Sequence, residues 1–158
     1  MRKRITPSGP KEPTPPTGGW LNLDDCAEVE LTSEDESYPI ESALLADQGP
    51  GWRASAAGEQ RIRLVFEQPQ RIRRIALDFD EPVVARTQEF VLRWSADSGR
   101  SFQEVVRQQW NFSPGGAAHE TEDLSVELDG VTELELVITP DISGGDARAS
   151  LARWRLAG

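Results

Sequence analysis

From Ala27 onward the chain alternates apolar and polar residues in short runs. Ala27-Glu-Val-Glu-Leu-Thr32 has the period of two that marks a half-buried strand. Gln60 to Phe66 places Ile62, Leu64 and Phe66 on one face and Arg61 and Arg63 on the other. Pro69-Gln70 interrupts, and Ile72 to Phe79 resumes with Ile75, Leu77 and Phe79 in step. Glu89 to Trp94 and Phe102 to Arg107 flank a Gly-containing turn, as the arms of a hairpin should. Leu124 to Leu128 alternates cleanly, Asp129-Gly130 predicts a tight turn, and Leu134 to Ile138 follows it. A last strand is expected near Ala149 to Leu156. Only Ile40 to Ala46 reads equally as a short helix or a strand.

Strands that recur at roughly ten-residue intervals with turns between them predict an antiparallel sandwich or barrel. They share no repeated motif, which argues against a propeller or solenoid. Residues 1–19 hold five of the 11 prolines and almost no apolar side chains. Such a segment cannot offset its ordering entropy, so a flexible, basic, Pro-rich tail is expected there. Residues 20–158 then form one domain, a size that supports one hydrophobic core.

Charge narrows the partners. The formal net charge is −10, and the tail carries +3, which leaves residues 20–158 at −13. A body that acidic repels phosphate backbones and disfavours nucleic acid. No run approaches the ~20 apolar residues of a membrane-spanning helix, so no membrane partner is expected. The start, Met1-Arg-Lys-Arg, has the charge of a signal peptide but no apolar stretch after it, and a cytoplasmic location is expected. The single cysteine, Cys26, excludes an internal disulfide and a multi-cysteine zinc site. Asp24 and Asp25 beside it should raise its pKa and keep it inert.

Ser95-Ala-Asp-Ser-Gly-Arg-Ser-Phe102 reads as a tight turn in which Asp97 accepts turn amides and Phe102 re-enters the core. It is similar to the Asp-box of sialidases, and also to the hairpin of discoidin-like domains. The second likeness extends further: Gly51-Trp-Arg-Ala54, the strands 60–66 and 72–79, the Asp97 hairpin, and the closing runs 134–138 and 149–156 keep that family's order. Residues 20–158 thus resemble the galactose-binding-like superfamily, which includes coagulation factor 5/8 type C domains, discoidins and family 32 carbohydrate-binding modules. The resemblance implies an all-β, antiparallel jelly-roll β-sandwich of about eight strands, with a ligand held by loops at one end. Members with a structural calcium carry an Asp-Gly-x-x-x-Thr loop and a final-strand Glu. Here Asp47 to Trp52 is shortened and Arg153 stands near the Glu position, so no metal or other cofactor is expected. The acidic loop Asp141 to Asp146 is the other place an ion could sit, although solvated turn carboxylates are the commoner case.

The polar stretches Arg86-Thr-Gln-Glu89 and Arg107 to Gly116 contain large aromatics. Sugar sites combine flat aromatic faces with planar Arg, Asn or Gln groups that bond hydroxyls in pairs. Arg86, Gln88, Arg107, Trp110 and Asn111 supply that set if strand directions bring them together. The alternative is that Trp110 or Phe112 packs beneath the loop while Arg86 and Arg107 pair with Glu120, Glu122 or Asp123. Enzyme chemistry is not expected: His119 is the only histidine and no G-x-S-x-G elbow exists. Glu120 and Glu122 could share a strand face as a glycosidase pair, a distant third reading. The expected function is a non-catalytic module for a glycan or similar polar small ligand, with a protein-docking module as the rival.

Overall fold

The computed structural model describes residues 2–3, 20–45, 49–81, 85–113, 116 and 118–158. In chain order the elements are β1 (Arg2–Lys3), α1 (Leu23–Cys26), β2 (Ala27–Leu31), α2 (Glu41–Leu44), β3 (Trp52–Ala57), β4 (Gln60–Asp80), β5 (Arg86–Ser95), β6 (Gln103–Phe112), β7 (His119–Thr139), β8 (Arg148–Leu151) and β9 (Arg153–Ala157). Every ladder is antiparallel. The main sheet runs β1-β2-β4-β7-β5-β6, β9 adds to β4, and β3 pairs with β8. The antiparallel β-sandwich expected from the alternation is the fold.

Two predicted breaks are not breaks. Residues 60–80 form one 21-residue strand through Pro69, and residues 119–139 form another through Asp129-Gly130. The ladder between them slips between Val65 and Gln70 and again between Ile72 and Arg74, where the strands bend together. Pro69 has no N–H to donate, so it is accommodated at this irregularity. Gly130, at φ +68°, supplies the opposing bend. An Asp-Gly pair reverses a chain only when the following strand folds back on the preceding one. Here both halves of β7 pair with β4 instead, so the chain bends and continues.

That bend builds the sandwich. Residues 60–65 of β4 pair with 133–138 of β7 beside β2 and β5, whereas residues 74–80 pair with 119–125 and β9. Strands that switch layers through bulges are how sandwich corners are made. Between the layers lie Ile62, Leu64, Leu134, Leu136, Ile138, Phe90 and Leu92, facing Ile75, Leu77, Phe79, Trp154 and Leu156, all 0–1% exposed. Phe79 and Phe90 meet across the layers at 5.0 Å. Each such side chain stabilises the fold by roughly 1.5–3 kcal/mol.

Other expectations resolve locally. The Ile40 region is the helical turn α2, because Ile40, Ala43 and Leu44 bury one face at helical spacing. The expected final strand divides at Ala152: Leu151 pairs with Trp52 on β3, and Trp154 pairs with Leu77 on β4. Arg2–Lys3 pairs with Glu30 and Val29 of β2, and residues 4–19 of the expected tail lie outside the described residues. Asp97 accepts Ser101 Oγ at 2.6 Å, Ser95 Oγ at 2.7 Å and Ser101 N at 2.9 Å, and these bonds hold its carboxyl down at about 2. Phe102 does not enter the core. Its ring lies between the guanidinium groups of Arg63 (5.3 Å) and Arg93 (5.0 Å), which alternation turns to the outer face of the sheet.

Candidate functional site

Where β4 ends and β3 begins, the loops leave a cleft of about 200 Å3. Tyr38, Arg53, Asp80 and Ser150 give it polar walls, and Trp52 and Leu151 lie beneath. The Asp35–Tyr38 bridge fixes the tyrosine, with Tyr38 N donating to Asp35 O at 2.9 Å and Ser37 N to the Asp35 carboxylate at 2.9 Å. The Arg53 guanidinium lies 5.6 Å from the Tyr38 ring centre, a cation–π distance. Trp52 is 1% exposed, and its indole N–H donates to Ser33 O at 3.1 Å.

Gly51 lets this corner close. Its φ is +104°, and a Cβ there would stand 2.7 Å from Leu151 O and 2.8 Å from Ala152 Cα. Only glycine allows β3 to start so close to the β8–β9 break. On the far rim the Asp80 carboxylate is exposed and 3.4 Å from His119 Nδ1. The Asp80 carbonyl accepts the Ser150 hydroxyl at 3.3 Å.

The five residues chosen from sequence do not form one surface. β5 and β6 are neighbours, but their alternation divides the set. Arg86 is opposite Phe112 and Gln88 opposite Trp110, on the face that contains Phe90; Asn111 is opposite Thr87 and Arg107 opposite Val91, on the other face. The Arg86 side chain is 1% exposed, paired with Glu81 at 3.1 Å and donating to Arg148 O at 2.7 Å and Ser150 Oγ at 3.5 Å. Gln88 is 1% exposed, with neither amide atom bonded. Arg107 is exposed and pairs with Glu89 at 2.6 Å and Glu104 at 3.1 Å. Asn111 Oδ1 accepts the Thr87 hydroxyl at 2.5 Å. Trp110 remains exposed at the β6 edge, and Phe112 packs beneath.

The alternative reading was right that Phe112 is buried and both arginines are paired, but the acids differ. Asp123 instead pairs with Arg74 at 2.7 Å. Tyr38, Arg53 and Asp80, which line the cleft, are not among the five. Arg53 lies inside the Gly51-Trp-Arg motif, and nothing local in the sequence joins it to Tyr38 or Asp80.

Glu120 and Glu122 do share the inward face of β7, opposite Phe79 and Leu77. Neither Glu120 oxygen has a donor. Burial, and then the neighbouring Glu122, push its pKa up to about 8. Its protonated form is therefore favoured at neutral pH. Cys26 is half-buried, and burial, then Asp25 and Glu67, push its thiol up to about 11. It is an unreactive thiolate precursor at neutral pH. Among the described residues no three His, Cys, Asp or Glu side chains converge as a metal-holding group.

The fold is an antiparallel β-sandwich with a polar cleft in its end loops. No family model matches the chain, and no curated protein matches it in sequence. Solved structures do match. The family 32 module of NanJ from Clostridium perfringens, in complex with galactose, aligns at TM-score 0.60 and 15% identity over 87% of this chain and 96% of that one. CpGH89CBM32-5 from the same organism, in complex with GalNAc-β-1,3-galactose, aligns at 0.61 and 18% over 89% and 100%. The N-terminal domain of the single-strand break repair protein XRCC1 aligns at 0.57 and 17% over 84% and 93%. The fold is of the family 32 type; at these identities the likeness extends no further than the fold.

Proposed function

We propose that this domain is a non-catalytic carbohydrate-binding module that takes a sugar residue in the Tyr38–Arg53–Asp80 cleft. The observation that carries this is one pocket lined by an aromatic ring, a guanidinium and an exposed carboxylate. Neighbouring sugar hydroxyls both donate and accept: Asp80 takes the donated hydrogen, and Arg53 gives two N–H groups to the accepting oxygens. Tyr38 and Pro50 offer apolar surface to sugar C–H groups. Fold neighbours solved in complex with galactose and GalNAc-β-1,3-galactose favour the same ligand class. Trp110 gives a second flat face along the β6 edge, outside the cleft.

The test is a glycan array followed by calorimetry on its hits. Arg53→Ala and Asp80→Ala should each weaken binding by about 10-fold or more, since a hydrogen bond to a charged group contributes ~1.5–3 kcal/mol. The melting temperature should move little, because both groups lie at the rim. Undiminished binding in both variants would remove the cleft from recognition. Protein docking is the competing reading, since a fold alone does not choose between a sugar and a protein partner. A blank array with specific capture of one protein would decide for it.

A further inference from the structure

Arg86 does not line the cleft, yet it is bonded to what does. Its guanidinium reaches three places: Glu81 at 3.1 Å, the Arg148 carbonyl at 2.7 Å and Ser150 Oγ at 3.5 Å. Ser150 is the cross-strand partner of Arg53, and its hydroxyl donates to the Asp80 carbonyl at 3.3 Å. Glu81 follows Asp80 directly, and its amide donates to Ala118 O at 2.8 Å. The Phe112 ring, 5.7 Å away, backs the guanidinium. One buried side chain therefore links the strand that faces Arg53 to the peptide that carries Asp80.

Stability alone is a poor reason for such a pair. A buried ion pair is commonly replaced by apolar residues of similar volume without loss, because desolvation offsets the attraction. What apolar residues cannot do is aim hydrogen bonds at a carbonyl and a hydroxyl of β8 while an ion pair holds the residue that follows Asp80. We propose that Arg86, held by Glu81, is a positioning residue that sets the spacing between Arg53 and Asp80 across the cleft. The inference rests on the cleft being the recognition site.

The experiment compares three proteins: the natural chain, Arg86→Lys, and the double variant Glu81→Leu/Arg86→Met. The double variant removes both charges together, so no buried ion is left unpaired. It should melt within a few degrees of the natural chain while the amide signals of residues 78–81 and 148–152 broaden or double. Its affinity for glycans that the natural chain binds should fall about 10-fold or more. Arg86→Lys keeps the charge but loses the fork, and it should show the same cleft changes to a smaller degree. If the double variant keeps native melting, native amide signals and native affinity, Arg86 only fills space and the inference is overturned. If the double variant does not fold, Arg86→Lys decides by the same signals. If the natural chain binds no glycan, the proposed function fails, and the amide signals still decide whether Arg86 sets the cleft.

Discussion

Two glutamates on β7 are equally hidden and behave oppositely. Glu135 is 0% exposed and Glu120 is 2% exposed. Glu135 points to the outer face, where the ladders set it in register with Arg63 on one side and Arg93 on the other. Both guanidinium groups bond to its carboxylate, Arg63 at 2.5 Å, and the Phe102 ring covers the group from above. Burial pushes its pKa up, but the bonds from Arg63 and then Arg93 outweigh it and the net shift is downward. Glu120 points between the layers, with Phe79 opposite and Glu122 on the same face, and its pKa rises. Burial is common to both. The register of cations on neighbouring strands decides the charge.

The largest effect should come from breaking the outer triad. Glu135→Leu removes the acceptor that Arg63 and Arg93 share and leaves Arg63 only the 3.7 Å contact with Glu133. Removing one partner of a buried pair costs ~3–5 kcal/mol, and because the arginines are about a third exposed the expected loss is nearer 2–3 kcal/mol. Urea unfolding at neutral pH reads it directly; a loss under ~0.5 kcal/mol would show the triad to be solvated.

Next is Glu120→Gln. A carboxyl whose folded pKa is raised from the ordinary 4.5 to about 8 costs nothing below pH 4.5. The cost then grows as the pH rises toward 8 and is constant above it. The variant should therefore match the natural chain near pH 4 and exceed its stability by roughly 2–4 kcal/mol above pH 8. Equal stabilities at pH 9 would mean that Glu120 ionises freely. Glu122→Gln should lower the apparent pKa of Glu120 in an NMR titration but leave it above 4.5, because burial is the larger cause. A return to 4.5 would reverse that ranking.

The smallest change is expected from Asp97→Asn. Hydrogen bonds depress the Asp97 pKa to about 2, so its contribution is present above the ordinary value near 3.8 and is lost as pH falls toward 2. The variant should lose only this acid-side dependence, visible as a flatter melting curve between pH 4 and 2.

Much of the fold was legible because burial in a strand is local: Ile62, Leu64 and Leu77 sit where period-two spacing places them. Pro69 and Asp129-Gly130 misled because a break and a bend have the same residues; whether the chain turns back depends on which strand it pairs with. For the site, half of the signal was present and unused. Phe90 and Leu92 are core, so Gln88 and Arg86 at the same parity had to point inward, and Arg107 and Asn111 had to lie on the opposite face. The cleft itself was not legible. Tyr38, Arg53 and Asp80 come from a loop, the start of β3 and the end of β4, and no spacing rule connects them.

Alternating side chains are enough to choose an antiparallel β chain and to name most of its core, since each residue's face follows from its neighbours. Which charged groups pair, and which three distant residues share a pocket, depends on the register between strands and the fold of β4 and β7 across two layers. Those are contacts between segments far apart along the chain, and local pattern carries no record of them.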